Sequence, residues 1–303
     1  MSSDKRRVHI AIVGGSLSVL GGGAPRSMAQ QAAVLMEQLC DVTFYVGESR
    51  KYPLTTEQFD IRGCRVVHSR LWGPSILGFF PVALARLCLH IKKYDVVHLN
   101  GAWNFNTFIM SRICRMMKVP CIITARGHYS EYHHDRMPRM RKLLYWLMER
   151  GNLRNATAVH VTADWEYKTS ARYLSEANKI VMIPNPVDLR DFQCPPDRNA
   201  ARRMLGLSVD CFYCVHLGRL APQKNATFLV EAFLSAKLDN AELVFVGPRE
   251  EIVQRDIDAL LEENKTSGKV RYIDFAEGID RCRWLAAADL FALPSNDENF
   301  CIV

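Results

Sequence analysis

No stretch of this 303-residue sequence is apolar for long enough to cross a bilayer as a helix. The most apolar run, Leu71 to Ile91, is broken by Gly73, Pro74, Gly78, Pro81, Arg86 and His90. A spanning helix rarely carries that load, so a helix packed in an α/β domain is expected there. Ser2 to Arg7 is polar and leads straight into an apolar strand, so no signal peptide is expected. Neither a Gly-x-Gly-x-x-Gly dinucleotide fingerprint nor a phosphate loop ending Gly-Lys-Ser/Thr occurs. Internal repeats and low-complexity tracts are missing too, which excludes solenoids and disordered tails. Cysteines number ten but are scattered: Cys40, Cys64, Cys88, Cys114, Cys121, Cys194, Cys211, Cys214, Cys282 and Cys301. Only Cys211 and Cys214 lie close, with no second pair to complete a zinc site, and odd spacing on a strand points them to opposite faces. Reduced thiols of a cytoplasmic protein are expected.

Composition is that of a soluble globular chain, with 49% hydrophobic and 23% charged residues. The length suggests two domains. Charge divides unevenly: 25 Lys and Arg stand against 14 Asp and Glu through Asp188, and 14 against 18 beyond it. A basic first half suits an anionic partner: nucleic acid, an anionic membrane surface or a phosphorylated acceptor.

Apolar strands alternate with helical stretches. Val8–Val13, Val42–Val46, Arg65–Val67, Asp95–Leu99, Cys121–Thr124, Ala158–Thr162 and Ile180–Pro184 read as strands. Asn185-Pro186 and Cys194-Pro195-Pro196-Asp197 then read as linker. The pattern restarts with strands at Phe212–Leu217, Glu242–Val246, Lys269–Ile273 and Leu290–Leu293. Near-continuous apolar strands alternating with helices predict two parallel, doubly wound α/β domains, 1–188 and 189–303. Four strands are fewer than the five or six such a sheet usually holds, so the second domain reads as incomplete.

Several constellations stand at strand ends, where open α/β sheets bind ligands. The loop from Gly14 to Gly21-Gly22-Gly23 follows a strand and opens a helix, which suits a phosphate; a plain tight turn is the alternative. His98 ends one strand, His160 lies within another and His133-His134 sit in a polar loop; each alone is more often a packed or surface histidine. Arg126-Gly127-His128 combines a cation, a flexible residue and a titratable ring, as substrate contacts or as a surface loop. Arg136, Arg139, Arg141, Lys142, Arg150 and Arg154 surround Leu143–Met148, either a basic amphipathic surface for anionic lipid or a packed helix with a solvated cationic face. Arg219 and Lys224 follow the strand that ends at Gly218 and could together neutralise a diphosphate. The last segment, Leu293-Pro294-Ser295-Asn296-Asp297-Glu298-Asn299-Phe300-Cys301, reads as a strand end, a loop and a helix opening at Glu298, with Ser295, Asn296 or Asp297 as its cap.

Taken in order, the Gly218-Arg219-Leu220…Lys224 loop and the terminal Pro294-Ser295…Glu298-Asn299-Phe300 resemble glycosyltransferase family 4. Gly21–Gly23, Asp95-Val96-Val97-His98 and Ile183-Pro184-Asn185-Pro186-Val187-Asp188 are similar to that family's glycine loop, strand and interdomain signatures. The resemblance covers the whole chain. It implies two Rossmann-like domains facing a cleft, the B-type glycosyltransferase fold, and retaining transfer from a nucleotide-sugar donor to a saccharide or lipid-linked acceptor. By position it gives Arg219 and Lys224 to the donor diphosphate and the departing nucleotide, and Glu298 to the donor sugar. Asn299, Phe300 and Cys301 would lie beside the donor, with Gly21, Gly22, Gly23, Arg126 and His128 on the acceptor and phosphate side. No metal or other cofactor is expected and no nucleic acid. A cytoplasmic protein is implied, touching anionic membrane at its inner face, and family prevalence points to polysaccharide assembly.

Three departures matter. Cys301 stands where the family usually has glycine, so a Cβ there would crowd the donor. Arg126 stands where it often has histidine. The second glutamate of the family's Glu-seven residues-Glu motif, which usually holds the nucleotide ribose, would fall beyond Val303, which implies a truncated and poorly active form. The alternatives are an inactive fragment of such an enzyme or a nucleotide-sugar epimerase on the same fold.

Overall fold

A computed structural model describes residues 6–73, 78–129, 139–171, 179–192, 195–266, 269–274, 276 and 278–303. His133, His134, Arg136 and Cys194 lie outside the described residues. The chain divides into two units: Met1–Val187 with Asn299–Ile302, and Asp188–Glu298 with Val303.

In the first unit, β1 (Val8–Gly14), β2 (Cys40–Glu48), β3 (Arg65–Arg70), β4 (Val96–Asn100), β5 (Cys121–Thr124), β6 (Ala158–Val161) and β7 (Ile180–Met182) form one sheet. Its order is β3-β2-β1-β4-β5-β6-β7, and every pairing is parallel. Both faces are covered, which is why the strands read as unbroken apolar runs. Ile10 and Ile12 of β1 face one cluster with Phe44 and Ala32. Ala11 and Val13 face the other, with Leu84, Leu99 and Ile123. The covering helices are α1 (Gly23–Glu37), α2 (Pro81–His90), α3 (Phe105–Met117), α4 (Arg139–Asn155) and α5 (Asp164–Ala171). The apolar run after Leu71 thus resolves into a short helix with Pro81 at its first turn, where no N–H is needed. Asn104 caps α3, its Oδ1 accepting from Thr107 N at 2.8 Å.

The second unit holds α6 (Arg198–Met204), β8 (Phe212–Leu217), α7 (Ala226–Ser235), β9 (Ala241–Val246), α8 (Glu251–Glu263), β10 (Val270–Ile273), α9 (Ile279–Ala287) and β11 (Leu290–Phe291). Its four strands are parallel in the order β10-β9-β8-β11. Cys214 packs on one face of this sheet and Cys211 on the other. Buried Arg202 ties α6 to the start of β11. It is ion-paired with Asp289 and donates to Ala287 O at 3.1 Å and Val209 O at 2.7 Å.

One expected element is corrected. Residues 292–303 carry no helix, so Ser295, Asn296 and Asp297 cap none and Glu298 sits in irregular chain. Cys301 has a left-handed φ of 54°, which a right-handed helical run does not accommodate.

Strand order fixes where ligands can bind. A crevice opens where neighbouring parallel strands lead their connections to opposite sides. In the first sheet that point lies between β1 and β4, and in the second between β8 and β11.

Candidate active site

In the second unit the two loops at that point are Gly218–Asn225, after β8, and Ala292–Glu298, after β11. They are stitched together: Asn296 N donates to Gln223 O at 2.9 Å, and Gln223 Nε2 donates to Asp297 O at 2.8 Å. Lys224 lies in a 3-10 turn, Pro222–Lys224, and Asn225 takes a left-handed φ of 55° to redirect the chain into α7. This places the Lys224 ammonium against Glu298 Oε1, and Ser295 Oγ donates to the same oxygen at 2.8 Å. Arg219 Nη1 reaches Glu250 Oε1, on the loop after β9, at 3.3 Å. Each of the two cations thus faces a carboxylate.

Glycine is required beside them. Gly247 has φ 144°, and a Cβ there would stand 2.3 Å from Gly218 O. Below this loop lies His216, fully buried. Its Nδ1 donates to Ala292 O at 3.1 Å, while Nε2 has no hydrogen-bond partner among the described residues. Burial lowers its pKa to about 4, with the Lys224 charge pushing the same way and the Ala292 bond and Glu298 opposing. The ring is neutral at physiological pH.

In the first unit, Gly22 has φ 75° and ψ −138°, a conformation only glycine takes without cost, and α1 starts at Gly23. Arg126, on the loop after β5, points its guanidinium across the edge. Nη2 and Nε donate to Asn100 Oδ1 at 2.6 and 3.2 Å. Nη1 donates to Ser27 Oγ at 2.6 Å and Asn185 Oδ1 at 2.8 Å. Burial brings its pKa down to about 10, partly offset by Glu166, so it stays cationic. Gly127 N donates to Glu166 Oε1 at 2.6 Å, and the other carboxylate oxygen accepts from Thr162 N at 2.7 Å. His128 is held locally, its Nδ1 on Ala125 O at 2.7 Å.

His98 and His160 are tied into the fold. His98 Nε2 donates to Thr124 Oγ1 at 2.5 Å, Thr124 Oγ1 meets His160 Nδ1 at 3.0 Å, and His160 Nε2 donates to Ile183 O at 2.7 Å. Burial, with the Arg126 and His160 charges, takes His98 down to about 3. A second buried carboxylate, Glu149 of α4, accepts from Tyr129 OH at 2.6 Å, Asn152 Nδ2 at 2.8 Å and Trp103 N at 3.4 Å. It fixes the loops after β4 and β5. Its pKa is raised by burial against these hydrogen bonds.

Of the residues expected at the site, Arg219, Lys224 and Glu298 gather in the second unit. Gly21–Gly23, Arg126 and His128 lie in the first. Asn299, Phe300 and Cys301 group with the first unit. Sequence reasoning missed Asn100, Ser27, Asn185 and Glu166 around Arg126, and Ser295, Glu250 and His216 around Lys224 and Arg219. Asn185 stands inside the interdomain signature and Asn100 two residues beyond the strand signature, which was the one available signal. Asp256 and Asp258 form an Asp-x-Asp pair, but on α8, where residues two apart diverge.

Residues 22–186 match the family model described as "Glycosyl transferase 4-like domain", and residues 211–303 match "Glycosyl transferases group 1". The UDP-Gal:alpha-D-GlcNAc-diphosphoundecaprenol alpha-1,3-galactosyltransferase of Escherichia coli is 27% identical over 97% of this chain and 75% of its own length. Alpha-monoglucosyldiacylglycerol synthase of Acholeplasma laidlawii is 22% identical, over 70% of this chain and 58% of its own length. The crystal structure of Anabaena Alr3699/HepE in complex with UDP-glucose superposes with a TM-score of 0.74 at 16% identity, covering 97% of this chain and 75% of that one. Two parallel α/β units of the B-type glycosyltransferase kind, in the order these matches require, leave one assignment: the chain belongs to the family-4 glycosyltransferases.

Proposed function

We propose that this chain transfers a sugar from a nucleotide-diphosphate donor to a saccharide or lipid-linked acceptor, with retention at the anomeric carbon. The observation that carries the reading is the Lys224–Glu298–Ser295 cluster at the second sheet's switch point, with Arg219 on the same loop. Departure of a nucleoside diphosphate leaves negative charge on its oxygens. Fixed cations stabilise that charge because they need no reorganisation as it develops. Arg219 offers a planar fork to two phosphate oxygens and Lys224 a compact charge. Glu298, held by Ser295, then accepts hydrogen bonds from donor-sugar hydroxyls, which fixes the anomeric carbon for attack. The departing phosphate takes the acceptor's proton. The two cations serve without a divalent metal. UDP-linked sugars are the favoured donors, by likeness to the Escherichia coli and Anabaena proteins. The acceptor comes from polysaccharide assembly at the inner face of an anionic membrane.

The test is calorimetric titration with UDP, followed by a transfer assay with UDP-sugars and saccharide or lipid-linked acceptors, with and without a chelator. Binding that depends on Lys224, and a product of unchanged anomeric configuration by NMR, are expected. No binding of any nucleoside diphosphate, or interconversion of the donor sugar without transfer, would overturn the reading.

A further inference from the structure

Arg126 carries a charge that none of its hydrogen-bond partners cancels, with the Glu166 carboxylate nearby favouring the cation. Its guanidinium donates only to neutral oxygens, those of Asn100, Ser27 and Asn185. Glu166, whose charge favours the cation, spends both oxygens on Gly127 and on Thr162. Its backbone is strained, with φ 55°, a conformation that persists only where the surroundings over-determine it.

Beside it, Asn100 is 8% exposed. Both hydrogen bonds from Arg126 end on its Oδ1, which fixes the amide orientation and leaves Nδ2 as the donor. That Nδ2 is buried with no partner among the described residues. On the neighbouring β1–α1 loop, Ser16 Oγ and Ser18 Oγ are likewise buried without partners there. A purely structural strut would not need a formal charge, and it would not strand a buried amide donor, which is costly.

We propose that Arg126 and Asn100 form an anion subsite of the first unit, and that it takes a phosphate group carried by the acceptor. The inference rests on the glycosyl-transfer reading, in which Arg219 and Lys224 of the second unit already match a donor diphosphate. The cation at the first switch point is then surplus to the donor. The excess of Lys and Arg through Asp188 has the same sign. A phosphate oxygen would accept from Asn100 Nδ2 and from the guanidinium edge, charge-assisted hydrogen bonds of the stronger kind.

The experiment compares two ligands on the full chain by calorimetry: an alkyl glycoside and the alkyl diphosphate of the same sugar and chain length. Each is titrated with and without saturating UDP. The diphosphate should bind at least about tenfold more tightly, and UDP should leave that preference intact. Asn100→Asp keeps an acceptor for Arg126 but replaces the donor with a negative charge. It should erase the preference while leaving UDP affinity unchanged and thermal unfolding cooperative. Arg126→Gln gives up buried hydrogen bonds and so unfolds at a lower temperature; it should also erase the preference, with unchanged UDP affinity showing that the chain is folded. Equal affinity for the two ligands, a preference abolished by UDP, or one that survives in Asn100→Asp would overturn the proposal. Should UDP fail to bind the wild type, the donor reading fails, and the arm without UDP still decides the subsite.

Discussion

Lys224 and Glu298 neutralise one another across the switch point of the second sheet, with Ser295 Oγ on the same carboxylate oxygen at 2.8 Å. The loops after two adjacent parallel strands deliver them, and the pair is mostly shielded, at 22% and 27% side-chain exposure. On the proposed reading, replacing Lys224 or Arg219 by alanine removes a charged hydrogen bond to a diphosphate, roughly 1.5–3 kcal/mol each. Affinity for UDP should fall at least about tenfold in either variant, with unchanged thermal unfolding. Calorimetry showing wild-type affinity in both would remove the diphosphate role.

Glu250 is paired with Arg219 and, on the proposed reading, competes with the donor diphosphate for it. That pair is open to solvent, at 44% and 40% side-chain exposure, and such pairs contribute at most about 1 kcal/mol. Glu250→Gln should therefore tighten UDP binding modestly, by up to about fivefold, and lessen its salt dependence little. Weaker binding in Glu250→Gln would mean that the carboxylate orients Arg219 rather than competing for it.

The strands were legible because both sheets are covered on both faces, so Ile10–Val13 and Leu243–Val246 read as unbroken apolar runs. The cations were legible by residue type and position after a strand. Their partners were not. Arg126 meets Ser27 and Asn185 across 99 and 59 residues, and no local pattern encodes such contacts. The helix expected at Glu298 was a local reading that the structure overrides. At Cys301 the backbone takes a φ of 54°, which glycine adopts without cost, a feature that sequence alone does not reveal.

Three buried histidines predict the direction of acid sensitivity. Burial holds His216 at about 4 and His98 at about 3, and lowers His160. In the unfolded chain each titrates near 6.5. Between those values the unfolded state binds more protons, so stability is full above about pH 6.5. It is lost as pH falls toward 4 for His216 and toward 3 for His98. His216 alone accounts for roughly 3 kcal/mol. Urea unfolding at about pH 7 and about pH 5 should show the loss. His216→Asn, which can still donate to Ala292 O, should reduce the slope by up to about 1.4 kcal/mol per pH unit. Identical slopes in the two proteins would show that His216 titrates normally.

The outer face of α4 supports contact with an anionic membrane. Arg139, Leu143, Leu147, Arg150 and Arg154 are all exposed and follow one another at helical spacing. Leu143 and Leu147 are 55% and 57% exposed. The opposite face is committed to the interior through Glu149, Asn152 and Leu153. The helix is thus both packed and amphipathic, and its exposed side is apolar in the middle with arginines at the ends. Such a face lies in a lipid interface with its leucines inserted and its cations at the headgroups. Each arginine near an anionic surface contributes about 1 kcal/mol at moderate salt, so three favour anionic over neutral vesicles by about a hundredfold. Co-sedimentation of the full chain should show this preference at low salt and its loss at high salt, where charges are screened within a few ångströms. Replacing both leucines by glutamate should abolish binding without altering the fold, because neither side chain is buried. Equal binding to neutral and anionic vesicles, or wild-type binding by the double variant, would rule out this face as the contact.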